Sequence, residues 1–163
     1  MTSTRIRKIR GWKWEDTLVK RLNKSYSWIA YRLGSSSPEL PDILAISNKF
    51  GCMLVIEAKS GTTEQLIVRR EQIERCMRFS NSFRLYPKRY VVLAFKFMSK
   101  KRVGKGKYER RERREYFKLF DKKLKKGERA PDVICTYSGK TYALSKGRRV
   151  ELDIPDFKMP FQK

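Results

Sequence analysis

Asp42 follows Pro41, and fifteen residues later comes Glu57-Ala58-Lys59. Residues two apart on a strand leave the same face, so on a strand Glu57 and Lys59 point together. With Asp42 opening a neighbouring antiparallel strand, a hairpin sets it beside Glu57. Two carboxylates at one strand edge can hold Mg²⁺, with water completing the octahedron. A metal there polarises a phosphodiester and lowers the pKa of an attacking water. The lysine orients or deprotonates that water, or offsets developing charge. None of this needs histidine, and the chain has none. Each half of the pattern also has an ordinary explanation. Glu-x-Lys on a strand is usually a surface ion pair, and Asp after Pro is a turn residue. Pro131-Asp132 makes the contrast: Glu151-Leu152-Asp153 lacks the lysine, so that second pair reads as structural.

A third carboxylate stands out on the helix before them. Trp12, Trp14, Leu18, Val19 and Leu22 form one helical stripe, and Glu15 falls near its middle. An ionised carboxylate on a buried face is costly unless paired or bound to a metal. The alternative is an acidic residue at a helix start, where it suits the macrodipole.

The elements that must position these groups follow in order. Residues 1–10 read as a basic arm and residues 12–23 as the helix carrying Glu15. Residues 27–33 alternate like a strand, with Trp28, Ala30 and Arg32 on one face. A Gly/Ser/Pro loop leads to a strand over 42–46, a turn at Asn48–Gly51 and a strand over 52–59. Residues 64–83 read as a long helix with two stripes, Leu66, Ile73 and Met77 on one and Gln72, Cys76, Phe79 and Phe83 on the other. Two apolar sides predict two partners, the core and a subunit interface. Residues 89–97 form another strand. The order α-β-β-β-α-β predicts an α/β fold with a mixed central β-sheet flanked by helices. From Lys100 to Arg129 there are 15 Lys+Arg against five Asp+Glu, which reads as a solvated loop or an exposed charged helix. Within it, Tyr116 to Phe120 fits a short strand or the apolar side of a helix. Residues 133–152 form a hairpin turned at Ser138-Gly139, with a tail behind it.

Forty Lys+Arg against 17 Asp+Glu give a net charge of +23 in 163 residues, 40% of them hydrophobic. That is a folded basic protein with a polyanionic partner, nucleic acid foremost. Its length suits one domain: arm 1–10, catalytic core 11–98, basic insertion 99–129, C-terminal hairpin and tail 130–163. Three separated cysteines make neither a zinc ribbon nor a disulfide scaffold. No apolar stretch spans a membrane and no secretory signal is visible, so the expected location is the cytoplasm, at the nucleoid.

Pro-Asp followed by Glu-Ala-Lys resembles the PD-(D/E)xK nuclease signature. The wider pattern is Gly11-x3-Glu15-x2-Leu18-x3-Leu22, Arg32, a Gly/Ser loop, Pro41-Asp42-Ile43 and Ile56-Glu57-Ala58-Lys59-Ser60. Val68-Arg69-Arg70-Glu71-Gln72 and Phe79-x3-Phe83 follow. Across residues 8–98 it is similar to archaeal Holliday junction resolvases of the Hjc/Hje type. The resemblance implies a restriction-endonuclease-like core, with Glu15, Asp42 and Glu57 as metal ligands and the Ala58 carbonyl as a further one. It implies Lys59 as the catalytic lysine, Ser36 (with Ser35 adjacent) as the loop serine, and DNA contacts from Arg32, Ser35, Lys59, Arg69 and Arg70. Phe79 and Phe83 match dimer-interface positions, although intramolecular core is the plainer reading of both. Asp16 stands where family members often carry a basic residue, and residues 100–129 match no part of the pattern.

The expected activity is Mg²⁺-dependent cleavage of four-way DNA junctions by a homodimer, two symmetric cuts each leaving a 5′-phosphate, with Mn²⁺ as a substitute metal. Residues 100–129 would extend the basic surface over a duplex arm. Two alternatives remain: another nuclease of this superfamily, cutting flaps, single strands or duplex, and a non-catalytic basic nucleic-acid binder.

Overall fold

The computed structural model describes residues 3–34 and 38–163, so Ser35 and Ser36 lie outside the described residues. The element carrying Glu15 is α1 (Ser3–Asn23). The basic stretch expected as an arm forms its first turns instead, because no proline or glycine interrupts residues 3–10 and Arg, Lys and Ile all sustain a helix. Trp14, Leu18 and Leu22, spaced i, i+4, i+8, are fully buried, and the Trp14 indole N–H donates to the Ala94 carbonyl at 3.2 Å. Trp12, assigned to the same stripe, stays 37% exposed.

Strands β1 (Ile29–Arg32), β2 (Ile43–Ser47) and β3 (Cys52–Gly61) form the expected antiparallel meander. Between β2 and β3, Gly51 has φ +58°, a conformation that glycine adopts without strain. The register places Ile43 opposite Ile56, so Asp42, just before β2, faces Glu57.

The helix expected over 64–83 divides. Its first part is strand β4 (Gln65–Val68), and α2 runs only from Arg70 to Asn81. Leu66 and Val68 alternate inward as β4 pairs with β9, and Arg69 is extended (φ −74°, ψ 151°) as the N-cap of α2. Leu66 therefore leaves the stripe assigned to it. The helix starts where the Gln72 side chain accepts the Arg69 N–H at 3.0 Å and Asp132 accepts the Arg70 N–H at 2.7 Å. The structural role expected for Asp132 is borne out.

Strand β5 (Lys88–Phe97) runs parallel to β3. The charged segment after it is neither a plain loop nor a helix. It holds a hairpin, β6 (Lys100–Gly104) with β7 (Lys107–Arg110), and then β8 (Arg114–Leu119), which pairs with β5 through buried Phe117 and Lys118. The central sheet is ordered β1-β2-β3-β5-β8. Strands β9 (Asp132–Thr136), β10 (Thr141–Ser145) and β11 (Arg148–Glu151) extend the expected C-terminal hairpin into a second, four-stranded sheet with β4.

The central sheet separates two apolar cores. Trp14, Leu18 and Leu22 pack with Ile43, Leu54, Ile56, Val92 and Phe117 on one side. Ile73 and Cys76 of α2 pack with Met53, Val55, Leu93, Phe95 and the second sheet on the other. Buried on both faces, β3 is apolar from Cys52 to Ile56, and Glu57 is the exception. Among the described residues no helix is long and apolar enough to cross a membrane.

Candidate active site

Three elements bring the acidic groups together: α1 supplies Glu15, the residue before β2 supplies Asp42, and β3 supplies Glu57 and Lys59. One Asp42 carboxylate oxygen accepts the Ala58 N–H at 2.9 Å, tying the start of β2 to the middle of the Glu-Ala-Lys triplet. Ala58 itself is buried. Glu57 has no exposed surface. Its Oε2 accepts from the Arg75 guanidinium at 2.9 Å and from the Cys76 thiol at 3.8 Å. Its Oε1 is buried and accepts no hydrogen bond, with the Lys59 Nζ 3.5 Å away as its cation. Glu15 Oε2 lies 3.1 Å from Arg32 Nε, and Arg32 also reaches Asp16 at 3.3 Å.

The electrostatics follow from that crowding. Burial pushes the Glu15 carboxyl up to about 7, assisted by the Asp42 charge and opposed by Arg32. Burial also raises Glu57, to about 6, again with Asp42 adding and with Lys59 and Arg75 pulling back. Neighbouring carboxylates that raise one another's proton affinity are suited to sharing a divalent cation, which removes the repulsion. Among the described residues no three such groups are gathered tightly enough to enclose an ion as they stand, since Glu15 is drawn to Arg32 and Glu57 to Arg75. The donor set nevertheless fits a hard cation: three carboxylates from three elements, with one buried oxygen, Glu57 Oε1, lacking any donor.

Arg32 sits at the site on the exposed rim, its guanidinium 5.4 Å from the Trp12 ring centre. Arg69 and Arg70 lie elsewhere, at the start of α2, where both approach Asp132, at 3.4 and 3.9 Å. The Phe79 and Phe83 rings meet at a tilt of 49° with centroids 5.0 Å apart, and both lie half-buried against the α2-side core. The loop serines are not among the described residues.

Arg75 is the residue that sequence reasoning missed. It reaches Glu57, and its Nη1 lies 3.4 Å from the Pro38 carbonyl, so α2 holds both the buried Glu57 carboxylate and the loop before Asp42. No local spacing announces a pair eighteen residues apart on different elements. The one available signal was an arginine between the apolar positions Ile73 and Cys76.

No curated protein matches the chain. Among solved structures it is similar to the 1.6 Å structure of Hjc, a Holliday junction resolvase from the archaeal hyperthermophile Archaeoglobus fulgidus. The identity is 19% over 79% of this chain and 85% of that one, with a TM-score of 0.46. The family model described as archaeal Holliday junction resolvase (Hjc) matches residues 6–134, which include Glu15, Asp42, Glu57, Lys59, most of α1 and all of α2. That match spans well over half of the chain, which therefore belongs to the archaeal Holliday junction resolvase (Hjc) family.

Proposed function

We propose that this protein is a homodimeric endonuclease that resolves four-way DNA junctions by Mg²⁺-dependent phosphodiester hydrolysis, Mn²⁺ being able to substitute. The observation that supports this reading most is Asp42 opposite Glu57 across the β2–β3 hairpin, with Glu57 Oε1 buried beside Lys59 and without a hydrogen-bond donor. Glu15, Asp42 and Glu57, with the Ala58 carbonyl, would hold the ion, whose charge polarises the scissile phosphate and acidifies a water.

The chain's own groups do the rest. Lys59 is 27% exposed, so its ammonium faces incoming DNA while staying 3.5 Å from Glu57. It offsets the negative charge that grows on the phosphate oxygens. Arg32, 31% exposed beside Glu15, anchors the phosphate backbone next to the cut, and Ser36 or Ser35 contributes from the loop. Arg69 and Arg70 meet DNA away from the carboxylates, at the start of α2. Phe79 and Phe83 form the dimer contact, so that a two-fold axis presents two identical sites to the two strands of like sequence. Each cut leaves a 5′-phosphate, and such work belongs at the nucleoid.

Cleavage of a plasmid-borne cruciform tests the reading. A resolvase dimer linearises the plasmid by paired, symmetric cuts within one binding event. Singly nicked circles that persist, with no linear product, would contradict it.

A further inference from the structure

The β6–β7 hairpin leaves the central sheet at the end of the catalytic strand. The Met98 N–H donates to the Gly61 carbonyl at 2.9 Å and the Arg102 N–H to the Thr62 carbonyl at 2.8 Å, so the hairpin is pinned directly beyond Lys59. On the other side of the same edge, the Ser60 hydroxyl donates to the Arg10 carbonyl of α1 at 3.5 Å. Between α1 and the hairpin lies a notch of about 90 Å³, lined by Ile6, Arg7, Arg10, Thr62, Arg102 and Tyr108. Arg102 and Tyr108 face each other across the hairpin.

Three guanidinium groups therefore line one small concavity. Among the described residues no carboxylate pairs with Arg7, Arg10 or Arg102. Residues 100–110 carry six Lys or Arg and one Glu, and the acidic partner nearby, Glu64, is taken by Lys101 at 3.3 Å. Like charges gathered without a counter-charge cost free energy in the free protein, and a bound anion reverses the sign. Arginine forks with a hydroxyl and a phenol beside them suit phosphate oxygens.

We propose that this notch is a phosphate-binding site for the DNA backbone, separate from the carboxylate centre. It holds a duplex arm at one register relative to the cut. The proposal rests on the DNA-processing reading above. Thr62 lies three residues past Lys59 on the line of β3, about 10 Å at strand rise. That is about three base-pair steps of B-DNA, so the site holds backbone close to the cut without touching the reacting atoms.

The experiment compares the full-length protein with Arg7→Gln/Arg102→Gln and with a charge-matched loop variant, Lys140→Gln/Lys146→Gln, at exposed lysines in the two turns of the second sheet. Binding is measured without divalent metal, from 0.05 to 0.3 M salt, on a four-way junction and on linear duplex. Losing one phosphate contact flattens the log–log salt slope by about 0.9 and weakens binding roughly tenfold at 0.1 M salt. The notch variant should show this on both substrates and the loop variant on neither. Both notch positions are exposed, and an unchanged thermal midpoint verifies folding. An unchanged slope in the notch variant, or an equal loss in the loop variant, overturns the proposal. Failure of the resolvase reading looks different: the unsubstituted protein then cuts no junction, while the slope test on duplex still decides the notch.

Discussion

Stability of the metal-free protein should fall as pH rises from 5 to 7.5. The carboxyls of Glu57 and Glu15 are raised from an ordinary 4.5 to about 6 and about 7. A raised carboxyl holds its proton longer in the folded state than in the unfolded one. The native state is therefore favoured below the unfolded value, and that advantage is lost as pH climbs through the folded value. The displacement of Glu57 corresponds to about 2 kcal/mol. That of Glu15, whose side chain is 13% exposed, corresponds to at most about 3 kcal/mol. The two respond to the same Asp42 charge and do not simply add, so the expected fall is about 3–5 kcal/mol. The window is clean because the chain has no histidine. The lowered carboxyls of Glu74 and Glu128 act below pH 4.5, and burial pushes all three thiols upward. Urea unfolding at constant ionic strength reads the curve. Glu15→Gln should remove the larger part of the slope. Mg²⁺ should restore stability chiefly at the alkaline end, by about 2.7 kcal/mol at one hundred times its dissociation constant. A metal-free stability that rises or stays level between pH 5 and 7.5, or a slope untouched by Glu15→Gln, would mean that these two carboxyls are not held protonated by the fold.

Other expectations follow from particular contacts. Arg75→Ala leaves Glu57 buried without its 2.9 Å partner and should cost roughly 3 kcal/mol at pH 8. The cost should shrink towards pH 5, where Glu57 takes up a proton, and denaturation of the variant at both pH values measures the difference. Lys59→Ala should slow single-turnover junction cleavage by about 10²–10³-fold with binding nearly unchanged. Gly51→Ala forces a side chain into φ +58° with its Cβ 3.3 Å from Pro87, and should cost about 1 kcal/mol in urea titration. Phe83→Glu should convert a dimer to monomers in sedimentation, with the monomer still folded, because Phe83 is half-buried at the margin of the core.

The β2–β3 hairpin was legible because its cues are local. A turn at Asn48–Gly51 between two short apolar runs determines the register that sets Asp42 against Glu57. Glu15 was legible as an acidic residue amid Trp14, Leu18 and Leu22. What escaped was non-local. Strand β4 exists because β9, more than sixty residues later, pairs with it, and Leu66 and Val68 alone fit a helix equally well. The β6–β7 hairpin is exposed on both faces, so no apolar alternation marks it. The first turns of α1 carry no apolar stripe, and their helicity follows from continuity with the packed part. Asp132 was recognised as structural from the absence of a nearby Glu-x-Lys, though its role at the start of α2 emerged only from the fold.

The central claim is that Glu15, Asp42, Glu57 and Lys59 form a metal-dependent centre that cuts branched DNA. An end-labelled four-way junction, incubated in Mg²⁺ beside a linear duplex of equal length, tests it most directly, with Glu57→Ala in parallel. Paired symmetric cuts are expected in the junction alone, absent in the variant although it still binds. Equal cutting of both substrates, or tight binding with no cutting in Mg²⁺ or Mn²⁺, would contradict it.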